Sequence, residues 1–303
     1  MADEDHDRPN PPRRGLRKGL YLIPSVFTAA NIGMGFFSVM ASLRGFQILG
    51  SANPDTAAAA SHFDSAAVAI GWAMLFDTLD GRIARLTRTT TEIGIQLDSI
   101  ADVVTFGIAP AVLAYVWGYG ASLTEGSDLH RLAWFLSFMF LMCGAFRLAR
   151  FNVQASRPRI IAEGTPKVDK KNYVGLPIPV AGGLIAALVH FSPVPLTYFG
   201  PERARIYSGL LMVLVGLLSL MMVSTLRFSS FKTVGTRVRS MRTIILALAV
   251  GMLIFLYSQY VLLAIVVTYI LHGLIARVAA VFWRRGESAE AKIEPSHNKA
   301  QVR

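Results

Sequence analysis

Long apolar stretches make up most of this 303-residue chain, and they constrain its fold more than any other feature. A run of about 20 apolar residues is enough to cross the hydrocarbon core of a bilayer as a helix. The runs lack the alternation of barrel strands, and lipid requires internally bonded backbones. We therefore predict an all-α, polytopic membrane helix bundle with about eight transmembrane helices, at residues 20–43, 57–80, 94–117, 132–152, 174–195, 206–226, 243–259 and 260–283.

Lysine and arginine residues in the connections predict the orientation, because these residues favour the cytoplasmic side of a membrane. The counts alternate along the chain. Residues 1–19 form a basic leader, the next connection holds only Arg44, and the one after it is basic again. A predicted turn near Ser258, between the last two spans, holds no basic residue. Eight spans with both termini in the cytoplasm fit every step.

The remaining composition excludes several classes of function. The net charge of +11 follows from basic loops beside an anionic leaflet. We expect no nucleic-acid binding, because the basic residues are not interleaved with aromatic residues on a separate soluble domain. Cys143 reads as a small buried hydrophobe, and the six histidines lack metal-ligand spacing. The tail, residues 285–303, has mixed charge and few apolar residues, which predicts disorder.

Four aspartates stand where the second predicted span ends and the third begins, in the stretch FDTLDGRIARLTRTTTEIGIQLDSIAD. Asp77 and Asp80 are three residues apart, and Asp98 and Asp102 are four apart, so on helices each pair shares one face. Two antiparallel helices joined by the short polar link TRTTTE would bring the pairs together. We expect this to happen near the cytoplasmic surface.

Four carboxylates in one small volume repel each other, and ionising all of them in a partly dry site is costly unless cations compensate. Ionisable groups inside a membrane cost about 2.5–3.5 kcal/mol each on insertion scales, so such a cluster indicates function. Mg²⁺ and Mn²⁺ prefer oxygen ligands. The cluster therefore predicts a divalent-metal site. A single acidic residue such as Asp64 reads instead as solvated or paired with a nearby arginine.

The spacing D-x2-D-G-x2-A-R-x8-G-x3-D-x3-D resembles the signature of the CDP-alcohol phosphatidyltransferases, and every fixed position matches. The resemblance implies that the chain moves a phosphatidyl group from CDP-diacylglycerol to an alcohol and releases CMP. It also implies two Mg²⁺ or Mn²⁺ ions and a site facing the cytoplasm from the inner membrane. By this match, the metal ligands are Asp77, Asp80, Asp98 and Asp102, with Asp102 also a candidate catalytic base, and the CDP-binding residues are Asp80, Gly81, Ala84 and Arg85.

Other segments bear on the alcohol. The stretches IPSVFTAANIGMGFFS, FRLARFN, GLPIP and MVSTLRFSSFK resemble those of bacterial members of this family that make phosphatidylserine. The resemblance spans residues 20–235, and residues 236–284 add further transmembrane helices. It implies a serine site at Arg147, Arg150 and Asn152, since arginine binds carboxylates. The two arginines also fit a purely topological role as cytoplasmic anchors.

Three alternatives stay open. The acceptor could be glycerol phosphate, inositol phosphate or choline instead of serine. A divalent-cation transporter also uses carboxylates within the membrane, but such proteins hold them near the midplane in two repeated halves. A noncatalytic scaffold leaves the complete motif unexplained. We expect the partners to be CDP-diacylglycerol, L-serine, membrane lipids and a second copy of the chain in a homodimer.

Overall fold

The computed structural model describes residues 14–87, 92–156, 172–224, 227–229, 250–254, 256–273 and 275. Nearly all of them are helical. The helices are α1 (Arg14–Leu49), α2 (Thr56–Thr87), α3 (Glu92–Tyr119), α4 (Asp128–Ser156), α5 (Ile178–Phe191), α6 (Pro201–Val223) and α7 (Leu256–Gly273), with a short 3-10 turn at Leu196–Phe199. Two three-residue strands, Asn172–Val174 and Arg227–Ser229, pair in antiparallel register.

The predicted all-helical membrane architecture is confirmed. Among the described residues, five helices are long and apolar enough to cross a membrane: Val26–Leu49 within α1, Glu92–Tyr119, Asp128–Val153 within α4, Pro201–Val223 and Leu256–Gly273. The predicted span 57–80 lies in the 32-residue α2, which is long enough to cross a membrane but is not among these five. The predicted span 174–195 contains α5, which has only 14 residues.

The short length of α5 has a local cause. Gly175 has φ of 84° and Pro177 caps the helix, so α5 begins at Ile178. After Ser192 the chain meets two more prolines, which cannot continue a helix. A helix of about 10–14 apolar residues is typical of a buried core element, and ten of the residues of α5 are buried.

The end of the chain differs from the prediction. Residues 256–273 form one helix, so the turn predicted near Ser258 is wrong: this residue lies within the first turn of α7. Sequence alone placed a boundary there because the run of apolar residues was too long for one span. The leader up to residue 13, the loop around the predicted boundary at residue 235 and the tail after residue 275 lie outside the described residues. The cytoplasmic location of both termini stays a prediction.

Two π-helical stretches interrupt α3, at Val103–Ile108 and Ala114–Tyr119. Pro110 between them lacks an N–H group, so the carbonyl of Phe106 loses its usual helical partner. Gly182 of α5 packs directly on this break, since a Cβ atom there would lie 2.9 Å from the Phe106 oxygen. The first π stretch begins immediately after Asp102, and a π turn changes the direction of the side chains around it.

A buried stripe of small and polar residues lets α1 approach its neighbours closely. A Cβ atom at Gly35 would lie 2.4 Å from the hydroxyl oxygen of Thr105 and 2.9 Å from its Cα atom in α3. The Thr105 hydroxyl donates to the backbone oxygen of Asn31 over 3.1 Å. This contact fixes α1 against the segment that follows Asp102. The stripe consists of Thr28, Asn31, Gly35, Ser38, Ala41, Ser42 and Gly45.

We predict that Gly35→Ala lowers the stability of the bundle by about 1–3 kcal/mol, because the added methyl group overpacks the contact with Thr105. Gly33→Ala is the matched control in the same helix, since a Cβ atom there has nothing within 4 Å. We expect this variant to unfold at the wild-type temperature or above it. Thermal unfolding of the purified protein in detergent measures both, and equal melting temperatures for the two variants would contradict the proposed contact.

Candidate functional site

Three of the four predicted aspartates meet at one end of the bundle. Asp77 comes from α2, and Asp98 and Asp102 come from α3. One carboxylate oxygen from each lies within 4.8 Å of the other two, and all three residues are half-buried. We call this arrangement the three-aspartate cluster. The i,i+4 spacing places the two α3 carboxylates on one helix face, and the packing of α2 brings the third.

The carboxylates of the cluster repel one another when they are ionised. Two like charges about 4 Å apart repel by about 4 kcal/mol at an effective dielectric constant of 20. Asp102 experiences this repulsion from both Asp77 and Asp98. Its Oδ1 atom is buried and has no hydrogen-bond partner among the described residues. An ionised oxygen in that position needs a positive partner to be stable.

Arg147 of α4 supplies part of this positive charge. The residue is only 8% exposed, and its guanidinium is close enough to Asp102 for the opposite charges to interact. Three carboxylates in one small, partly buried volume favour the binding of a cation.

The donor set fits a hard divalent ion. Oxygen ligands lie about 2.0–2.6 Å from Mg²⁺ or Ca²⁺, so two oxygens on opposite sides of one ion are about 4–5 Å apart. The mutual separation of up to 4.8 Å within the cluster matches that span. Carboxylates with no nitrogen or sulfur ligand are the donors such ions prefer. The three-aspartate cluster can hold a divalent cation by small side-chain rotations.

Asp80, the fourth predicted ligand, lies outside the cluster. It is 6% exposed and accepts a hydrogen bond from the hydroxyl of Thr28 in α1. Thr28 is not among the residues that the sequence predicts for the site. The signal that could have found it is the pair of polar residues Thr28 and Asn31, three apart on one face of an apolar helix.

The residues predicted to bind serine have different surroundings. Arg150 donates a hydrogen bond to the backbone oxygen of Val223 over 3.2 Å, and its Nη2 atom lies 3.2 Å from the position of a Cβ atom at Gly175. Asn152 donates to the Ser99 hydroxyl over 2.8 Å and so links α4 to α3 next to Asp98. Arg147 interacts electrostatically with the Asp102 carboxylate of the cluster.

The predicted CDP-binding residues lie on α2, which continues to Thr87 beyond the predicted span. Gly81 follows Asp77 by four residues and therefore lies about one turn further along nearly the same face. Its side of the helix is half-buried. Ala84 and Arg85 belong to the same helix, but their side chains lie outside the described part of the structure.

Asp64, which the sequence suggested to be solvated or paired with an arginine, is paired with a histidine, and its side chain stays 36% exposed. Its carboxylate is 2.5 Å from Nδ1 of His190 in α5, and Nε2 of that ring is 2.9 Å from the hydroxyl of Ser258 in α7. Sixteen residues of α2 separate Asp64 from Asp80, which is about 24 Å along the axis. This polar contact therefore connects three helices far from the cluster.

Comparison with known proteins points to one family. The family profile of the CDP-alcohol phosphatidyltransferases matches residues 21–199. A CDP-diacylglycerol–serine O-phosphatidyltransferase of Helicobacter pylori is 30% identical over 256 residues, covering 84% of this chain and 91% of that protein. One of Saccharomyces cerevisiae is 32% identical and covers 61% of this chain and 62% of that protein. An archaetidylserine synthase of Methanothermobacter thermautotrophicus is 27% identical, covering 70% and 72%.

We predict that Asp98→Asn weakens Mn²⁺ binding at least tenfold while the protein stays folded. The amide has nearly the same shape as the carboxylate but lacks the charge that holds a divalent ion. Electron paramagnetic resonance of free Mn²⁺ measures the affinity, and thermal unfolding checks the fold. Asp128→Asn is the control, because Asp128 is exposed at the start of α4 and pairs only with Arg131 among the described residues. Wild-type Mn²⁺ affinity in Asp98→Asn would rule out the metal site.

Proposed function

This chain belongs to the CDP-alcohol phosphatidyltransferase family, and from that premise we propose that it is a phosphatidylserine synthase. It transfers the phosphatidyl group of CDP-diacylglycerol to the hydroxyl of L-serine and releases CMP. The observation that carries the proposal is the buried Arg147 guanidinium, whose charge acts on Asp102 and which sets a carboxylate-binding group near the cluster. The names of the relatives from bacteria, yeast and archaea support serine as the acceptor.

The donor substrate determines where the reaction takes place. The acyl chains of CDP-diacylglycerol stay in the bilayer, and its diphosphate reaches the polar end of α2 and α3. Gly81 has no side chain, so the backbone of α2 admits a phosphate closely. Arg85 is assigned here because a guanidinium is a planar fork that suits phosphate oxygens. We assign Asp80, Gly81, Ala84 and Arg85 to this CDP pocket.

Divalent metal belongs to the proposal. Asp77, Asp80, Asp98 and Asp102 are the proposed ligands of Mg²⁺ or Mn²⁺, with two ions in the working enzyme. When bound, such ions stabilise negative charge on the attacking and leaving oxygens of an in-line displacement. The close approach of three carboxylate oxygens in the three-aspartate cluster supports this assignment.

Serine binds through its carboxylate in this proposal. The guanidinium of Arg147 offers two parallel N–H groups to a carboxylate, a geometry that adds both energy and orientation. With the carboxylate held there, the serine hydroxyl is directed at Asp102. We place Arg150 and Asn152 at the border of the same pocket.

The chemistry then requires one displacement at phosphorus. The serine oxygen forms a bond to the phosphorus that carries diacylglycerol, the bond from that phosphorus to the CMP oxygen breaks, and CMP leaves with the electron pair. The hydroxyl proton passes to Asp102. No covalent intermediate with the protein is needed.

The setting follows from the same assignment. The chain is an integral membrane protein, and we propose that it resides in the inner membrane with the cluster facing the cytoplasm, where serine and CMP are soluble. The positive-inside pattern of the connections supports this orientation. A homodimer is the proposed assembly.

A substrate panel tests the function. Purified protein is incubated with CDP-diacylglycerol and radiolabelled serine, glycerol phosphate, inositol phosphate or choline, with Mn²⁺, with Mg²⁺ or with a chelator. We expect CMP and labelled phosphatidylserine from serine, and loss of both with the chelator. Faster turnover of another alcohol would show that this alcohol, and not serine, is the acceptor. Full activity with the chelator would exclude the metal mechanism.

We predict that Arg147→Ala lowers kcat/KM for serine. The activation free energy rises by about 1.5–3 kcal/mol, the range of a hydrogen bond to a charged group. Binding of CDP-diacylglycerol should change less, because the arginine contacts the acceptor. Arg131→Ala in the same helix is the control, since Arg131 is exposed. Wild-type serine kinetics in Arg147→Ala would show that serine does not bind at Arg147. Arg150→Ala then tests the second predicted residue.

A further inference from the structure

The buried hydroxyl of Thr28 is the feature of the candidate site that the family signature leaves unassigned. Thr28 lies on α1, 52 residues before Asp80 in sequence, and it donates its hydroxyl hydrogen to the Asp80 carboxylate. Thr28 is 4% exposed and Asp80 is 6% exposed, so water has little access to the pair. A hydrogen bond to a buried charged group is stronger than one to a neutral group.

The position of this hydroxyl is fixed by the packing of α1. One turn along the same face, the backbone oxygen of Asn31 accepts a hydrogen bond from Thr105 of α3. One further turn along α1, Gly35 makes its close contact with Thr105. The helix that carries Thr28 is therefore attached to α3 immediately after Asp102 as well as to Asp80 of α2.

A ligand carboxylate must be oriented before the ion arrives if binding is to be tight, and partners behind the ligands commonly do this in metal sites. A bond from Thr28 to one Asp80 oxygen removes rotational freedom from that carboxylate. The same helix, α1, also contacts the segment after Asp102 through Thr105. One helix thus links both pairs of aspartates in the motif.

We propose that Thr28 is a positioning residue that orients the Asp80 carboxylate for divalent-cation binding. This inference rests on the proposed function, in which Asp80 is a metal ligand. Thr28 itself does not touch the ion or the substrate. Its contribution passes through Asp80, so removing its hydroxyl weakens the affinity for the ion and leaves the serine pocket beside Arg147 intact.

The test compares four proteins in detergent: wild type, Thr28→Val, Thr28→Ser and Ser42→Ala. Valine keeps the branched shape without the hydroxyl, and serine restores the hydroxyl. Ser42→Ala is the matched control, because Ser42 is a buried hydroxyl of the same helix that bonds to the backbone oxygen of Ser38. Mn²⁺ affinity is measured by electron paramagnetic resonance without substrate, and activity is titrated with Mn²⁺ and with serine.

We expect Thr28→Val to bind Mn²⁺ roughly tenfold more weakly, in the range of a lost hydrogen bond to a charged group. The Mn²⁺ concentration for half-maximal activity rises in parallel, and KM for serine at saturating Mn²⁺ stays at the wild-type value. Thr28→Ser returns to within about twofold of the wild type, and Ser42→Ala matches it. If Thr28→Val does not fold, Thr28→Ala removes the same hydroxyl without extra bulk and must show the same loss.

The outcomes separate this inference from the proposed function. Wild-type Mn²⁺ affinity in folded Thr28→Val or Thr28→Ala overturns the role of Thr28 alone. Failure of Thr28→Ser to restore binding shows that shape, and not the hydroxyl, is what matters, and it also overturns the role. No Mn²⁺ binding by the wild type overturns both. Preference for another alcohol in the substrate panel changes only the acceptor.

Discussion

Repulsion among carboxylates in a partly dry site is the interaction on which the rest of this structure depends. Asp77, Asp98 and Asp102 have oxygens within 4.8 Å of one another, and the positive charge of Arg147 offsets part of the repulsion at Asp102. Such a site does not stabilise the fold by itself. The apolar packing of the surrounding helices must hold the carboxylates together, and a cation bound there would offset much of the repulsion.

The packing that does this relies on small residues in place of large ones. Membrane helices gain little from hydrophobic burial against each other, because lipid is as apolar as a leucine side chain. Gly35 and Gly182 instead bring backbones close enough for van der Waals contact, and both do so against α3. Both α1 and α5 therefore pack closely on α3, the helix that carries two of the cluster aspartates. Both contacts fall within the π stretch that follows Asp102, at Thr105 and Phe106.

Polar contacts between helices mark both ends of the bundle. At one end α1, α2, α3 and α4 meet around the aspartates. At the other, the Asp64, His190 and Ser258 side chains connect α2, α5 and α7. In hydrocarbon an unsatisfied polar group costs several kcal/mol, so each such contact specifies how its helices align. The last described helix is thus joined to the core by a defined polar contact.

The sequence by itself determined the membrane class, the helices and the spacing of the aspartates, because hydropathy and i,i+4 periodicity are local properties. It also placed Asp98 and Asp102 on one face. The tertiary structure decided which groups meet across helices: Thr28 with Asp80, Arg147 with Asp102, and His190 with Asp64. It also decided that one helix runs through Ser258. These facts depend on the rotation and depth at which distant helices pack, and no short stretch of sequence encodes either.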